Sequence, residues 1–99
     1  MELYEKTEEH SYNNDVFRAF MRRYSWAEFY QPSPGKAPWH WKCVVKGDGP
    51  YDVMINLWPH IAKAQREHCK SVEGWDKIRS LMSEAIEENG FGGVEDLIE

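Results

Sequence analysis

Across residues 38–60 the chain alternates apolar and polar side chains with a period of two. Trp39, Trp41, Cys43 and Val45 fall on one face of an extended segment, and His40, Lys42, Val44 and Lys46 on the other. That alternation predicts a strand with one buried and one wetter side. A return strand follows Gly47-Asp48-Gly49-Pro50, with Val53, Ile55 and Leu57 set against Met54, Asn56 and Trp58. The connection lacks a two-residue Asn-Gly signature, so a longer loop with a bulge is expected. Pro59 suits the first position of a helix, where its missing N–H costs nothing. Residues 61–69 are expected to form that short helix.

Helical spacing brackets the hairpin. Val16, Phe17, Phe20, Met21 and Tyr24 recur at intervals of three and four, an amphipathic pattern. Asn13 and Asn14 are the expected N-caps, and Asp15 complements the positive end of the helix. Arg18, Arg22 and Arg23 lie mostly off the apolar stripe, and the helix is expected to run through Trp26 and Phe29 until Pro32 and Pro34 stop it. Downstream, Trp75, Ile78, Leu81, Met82, Ala85 and Ile86 mark a second long helix, with Ser71 as N-cap and Asn89-Gly90 as the stop. Phe91, Val94, Leu97 and Ile98 fit either a last helical turn or a frayed acidic tail.

The expected fold is thus α+β, a small single domain over 1–99 in the order α-β-β-α-α. An antiparallel β-hairpin packs against helices, and 1–12 and 90–99 are loosely ordered. A two-stranded sheet is marginal alone, so helices must cover its apolar face. Its outer edges offer a surface for strand addition or a homodimer.

Composition narrows the setting more than the chemistry. Five Trp, five Tyr and four Phe in 99 residues can fill a small core, and the same residue types dominate binding hot spots. No apolar run approaches the roughly 20 residues of a membrane span, and the first ten residues are polar and acidic, unlike a secretory signal. The expectation is a cytoplasmic protein, not membrane-bound, with Cys43 and Cys69 reduced. The net charge of −5 is uneven: residues 1–17 carry −4, 18–79 carry +5 and 80–99 carry −6. A basic middle between acidic ends arises from solvated faces and internal pairing, or steers a charged partner to one face.

The titratable residues form no recognisable catalytic constellation. A zinc site needs convergent ligands. Cys43 and Cys69 stand apart, and His40 and Cys43 point to opposite faces of a strand. Neither metal nor cofactor is expected. Cys43 sits on the apolar face, where a thiol is inert. Cys69 beside His68 is more accessible, with Lys70 near enough in sequence to favour a thiolate. Adjacent helical residues diverge by about 100°, however, and make no dyad. Glu84, Glu87 and Glu88 share a helix opposite its apolar stripe and read as a solvated acidic face. That face also resembles the regular negative charge of a nucleic-acid backbone.

Lys63, Arg66 and Lys70 fall on one side of the expected short helix, and Lys42 and Lys46 share the wetter strand face with His40. Cations beside Trp58 and Tyr51 are the materials of a single-stranded nucleic-acid site. The alternative is that these cations pair with neighbouring acids such as Glu67 and Asp76. The acidic total opposes backbone binding.

His40-Trp41, Ile55-Asn56-Leu57-Trp58-Pro59 and Lys63-Ala64-Gln65-Arg66 resemble a loose group of short, functionally uncharacterised proteins encoded by bacteriophages and prophages. Their shared pattern is a helix, a strand opening on His-Trp, a strand ending in Asn–aromatic–Pro and a basic segment. The likeness covers about residues 38–86 and supplies no catalytic residues. It implies a phage accessory protein acting inside a bacterium. Small acidic proteins of that origin often bind a host or defence component stoichiometrically, anti-CRISPR proteins being one such class. The expected function is therefore non-enzymatic binding to a bacterial host or defence protein, such as a nucleic-acid-handling complex. The contact would be made by Glu84, Glu87 and Glu88 with Glu95 and Asp96, or by an aromatic anchor of Tyr51, Trp58 and His60. The alternative is a single-stranded nucleic-acid binder using Lys42, Lys46, Lys63, Arg66 and Lys70. An enzyme built on His60, His68 or Cys69 is the third reading.

Overall fold

A computed structural model of the chain describes residues 3–46 and 52–88. The first helix, α1 (Glu8–Arg23), starts at Thr7, whose side-chain oxygen accepts the His10 N–H at 3.1 Å. Glu8 and Glu9 occupy its first turn and Arg22 and Arg23 its last, each matching the helix macrodipole. Asn13 and Asn14 are therefore interior and buried, not caps, and residues 8–12, expected to be loose, are helical. The helix ends well before Pro32. The Tyr24 N–H bonds Phe20 O at 3.1 Å and the Ala27 N–H bonds Tyr24 O at 2.9 Å, which turns the chain into strand β1 (Glu28–Tyr30). Phe29 thus lies on a strand, where its ring reaches Phe17 and Phe20.

The expected hairpin is the centre of a larger sheet. Strands β2 (Trp41–Val45) and β3 (Val53–Trp58) pair antiparallel with Cys43 opposite Ile55. β1 flanks β2, while β4 (Lys63–Arg66) and β5 (Ser71–Glu73) extend the other side, giving the order β1-β2-β3-β4-β5. All four pairings are antiparallel.

The short helix expected over 61–69 is replaced by the last residue of a 3-10 turn, β4 and the turn that follows it. Pro59 opens only a single 3-10 turn (Pro59–Ile61), closed by the Ala62 N–H on Pro59 O at 3.0 Å. Ala62 is left-handed, with φ 50°, which ends helical propagation. Ala64 is then fully buried opposite Leu57, and this packing outweighs the good helix propensity of Lys-Ala-Gln-Arg. His68, at φ 68°, is the third residue of the turn that returns to β5, closed by the Cys69 N–H on Arg66 O at 3.0 Å. Ser71 belongs to β5, and the second helix, α2 (Trp75–Glu88), begins after Gly74 at φ 102°. The proposed stop at Asn89-Gly90 and the apolar residues 91–98 lie outside the described residues.

Both helices cover one sheet face. Phe17, Phe20 and Tyr24 of α1 and Ile78, Met82, Ala85 and Ile86 of α2 bury against Trp41, Cys43, Val45, Ile55, Leu57 and Ala64. Phe17 meets Trp41 edge-on at 5.4 Å, and Cys43 Sγ lies 4.0 Å from Met82 Sδ. The result is a two-layer α+β domain whose sheet is covered by described helices on one side only.

Candidate interface on the open sheet face

The open face follows from the pleat. Tyr30, Lys42, Asn56, Gln65 and Ser71 are consecutive register partners and form one continuous row across all five strands. Beside it, Trp58, Lys63 and Glu73 form a second row, and Glu28, Val44 and Met54 a third. Val44 is buried despite lying on this side.

Trp58 is the best-supported aromatic of the face. The His40 ring stacks on it at 5.2 Å and 15° from parallel. Lys63 Nζ lies 5.4 Å from the indole centroid on the neighbouring strand. His40 Nε2–H donates to Asn56 Oδ1 at 2.9 Å, which fixes the imidazole in register with the indole. Asn56 thereby satisfies its carbonyl oxygen with the residue that precedes β2. The cations of this face have acidic neighbours: Lys42 Nζ is 3.4 Å from Glu67 Oε1, and Lys46 Nζ 3.4 Å from Glu28 Oε2. Glu73 stands opposite Lys63 in register.

At the same end of the sheet the aromatic surface wraps toward α1. Trp39 precedes β2 instead of facing the core, is 38% exposed, and meets Tyr4 edge-on at 5.6 Å. Tyr4 also meets His60 at 5.1 Å, and His60 meets His10 at 5.0 Å. Desolvation first, and the His10 imidazole second, hold His60 below the usual histidine range. The Lys6 N–H donates to His10 Nδ1 at 3.0 Å, leaving the His10 proton on Nε2. Asn13 anchors this corner: its amide donates to His60 O at 2.9 Å, and its oxygen accepts the Trp75 indole N–H at 3.1 Å. Asn14 donates to Tyr4 O at 3.0 Å. Asn14 Oδ1, Trp41 Nε1 and His60 Nδ1 are buried there with no partner among the described residues.

The residues singled out from sequence scatter across the molecule. Lys42, Lys46 and Lys63 lie on the open side. Arg66 is in register with core-facing Ile55 and pairs with Glu88 on the helix side, and Lys70 sits beyond the β4–β5 turn. The expected alignment of Lys63, Arg66 and Lys70 fails because residues three apart on a strand point to opposite faces. Glu84, Glu87 and Glu88 are exposed on α2, with Glu88 engaged by Arg66. Trp58 and His60 occupy the same end of the sheet on different sides, and Tyr51 lies outside the described residues. Tyr4, His10, Tyr30, Trp39 and His40 join the surface without having been singled out as site residues.

The two thiols sit in different settings. Burial pushes the Cys43 thiol up to about 12, and Cys69 is exposed with no imidazole hydrogen-bonded to it among the described residues. Also among the described residues, no three His, Cys, Asp or Glu side chains converge as a metal site, and no helix is long and apolar enough to cross a membrane. Comparison with protein families, curated proteins and solved structures finds no match to this chain.

Proposed function

We propose that this chain is a non-enzymatic binding protein that docks stoichiometrically on another protein through the open sheet face, with Trp58 as anchor. The observation that carries the reading is the contact of Trp58 with both His40 and Lys63 on a sheet face that no described helix covers. An indole held in place before binding loses little rotamer entropy on docking, and tryptophan is among the commonest hot-spot residues.

A protein partner fits the face better than a nucleic acid. Affinity for a phosphate backbone comes from cations that release counterions, whereas Lys42 and Lys46 already sit beside carboxylates. Arg66, the strongest phosphate ligand by chemistry, is tied to Glu88 away from this face. The resemblance at Asn56-Leu57-Trp58-Pro59 directs the choice of partner to a bacterial host or defence protein, as for an anti-CRISPR-type antagonist acting in the cytoplasm.

Capture on the tagged chain from bacterial lysate, with and without nuclease, tests the reading. A protein retained near-stoichiometrically after nuclease treatment supports it. Recovery that vanishes with nuclease, or direct binding of oligo-dT with steep salt dependence, overturns it in favour of a nucleic-acid site.

A further inference from the structure

The helix layer carries a second surface of different chemistry. Arg22 and Arg23, in the last turn of α1, and Arg79 of α2 line a depression of about 480 Å³ over Ala19 and Phe20. Arg22 also borders a neighbouring hollow of about 320 Å³, lined with Arg18, Met21 and Ser25 and apolar over most of its wall. Two adjacent recesses therefore share one guanidinium group, with arginine on both sides and an apolar lining beside it.

The charge state of these arginines sets the choice of ligand. Among the described residues, carboxylates reach only two of the four: Asp15 to Arg18 at 2.8 Å and Asp76 to Arg79 at 3.5 Å, both exposed local pairs. Arg22 has no carboxylate within ion-pair distance among the described residues, and Arg23 lies over the Tyr24 ring at 5.7 Å. Most cations of the sheet side have an acidic neighbour, so this groove concentrates unspent positive charge on a chain of net charge −5.

We infer that the groove between the end of α1 and α2 binds an acidic peptide segment of a partner protein, with an apolar side chain between its carboxylates. Arg22, Arg23 and Arg79 supply the planar, paired donors that match carboxylates. The flexible Met21 side chain accepts the apolar residue. Among the lining residues the one aromatic, Phe20, is 3% exposed and offers no stacking surface. A nucleic-acid strand would therefore find phosphate contacts without a base platform. This surface is separate from the Trp58 face, so either can fail without the other.

The test is fluorescence anisotropy on the full chain with a labelled Glu-Glu-Leu-Glu-Glu-Leu peptide, its glutamine analogue and labelled oligo-dT. The acidic peptide is expected to bind, weaken with salt, and lose about tenfold or more in affinity to R22Q/R23Q. Both positions are exposed, so circular dichroism should show that variant folded; R79Q is a single change with the same expected direction. Trp58→Ala should leave peptide binding unchanged. Absence of binding, equal binding of the glutamine analogue, preference for oligo-dT or undiminished affinity in R22Q/R23Q would each overturn the inference.

Discussion

The His40 imidazole lies 15° from parallel to the Trp58 indole, their centroids 5.2 Å apart, and its Nε2–H is held by Asn56 Oδ1 at 2.9 Å. One hydrogen bond from the residue before β2 to β3 thus holds the imidazole that packs against the indole of the proposed anchor. Replacing Asn56 with Leu removes that acceptor while keeping side-chain bulk on a half-buried strand position. Partner affinity is expected to fall about three- to tenfold, the equivalent of roughly 1 kcal/mol of lost hydrogen bonding and order. Calorimetric titration of wild type and Asn56→Leu against the captured partner measures it.

Asn13 makes a different kind of prediction, about stability. Its amide joins α1 to the 3-10 turn through His60 O and to α2 through the Trp75 indole. Asn13→Leu strands a carbonyl and an indole N–H in a largely buried corner, at a cost of about 1–3 kcal/mol each. Urea denaturation should show a lower midpoint with an unchanged slope. An unchanged midpoint would mean that both groups find other partners.

Acid should weaken the fold through His60. Its folded pKa is lowered by burial and by His10, so the unfolded chain binds the proton more tightly. The contribution is complete above the unfolded value of about 6.5 and is lost as pH falls through the lowered folded value. Melting temperature should drop between pH 7.5 and 5, and His60→Phe should flatten that drop. A wild-type profile no steeper than that of His60→Phe contradicts the assignment.

The two thiols should react at very different rates. Cys43 is fully buried and pushed up to about 12, while Cys69 is exposed. With a chromogenic disulfide at pH 8, one equivalent should react quickly and the second only on unfolding. Fast release of both would mean that the core opens readily around Cys43.

Much of this architecture was legible in the chain, and the exceptions have physical causes. The alternation over 41–45 and 53–58 marked the central hairpin and its buried face because the sheet is covered on one side only. Trp39 broke the pattern because it precedes the strand. Lys63-Ala64-Gln65-Arg66 has helical propensity but pairs as a strand, where Ala64 fills a gap opposite Leu57. Short segments obey packing over propensity. Asn13 was legible in principle: it lies four residues before Phe17 on the same helical line, so a polar side chain in the apolar stripe signalled a buried hydrogen-bond hub. The stacking of His40 on Trp58 needed the register, which periodicity alone does not supply.

The acidic ridge of α2 gives the discriminating control. Glu88 is engaged by Arg66, and Glu84 and Glu87 face away from the sheet on a helix whose inner side is Ile78, Met82, Ala85 and Ile86. Glu84→Lys with Glu87→Lys should therefore change partner affinity by no more than about twofold, since exposed charges outside a contact contribute little. A loss of binding in the folded variant would move the interface to α2.

The most direct measurement is quantitative capture from nuclease-treated bacterial lysate with wild type and Trp58→Ala side by side, with folding of both verified by circular dichroism. One protein should be recovered near-stoichiometrically on wild type and be reduced by at least about tenfold on Trp58→Ala, the loss typical of a hot-spot residue. Equal recovery on the two chains would contradict it.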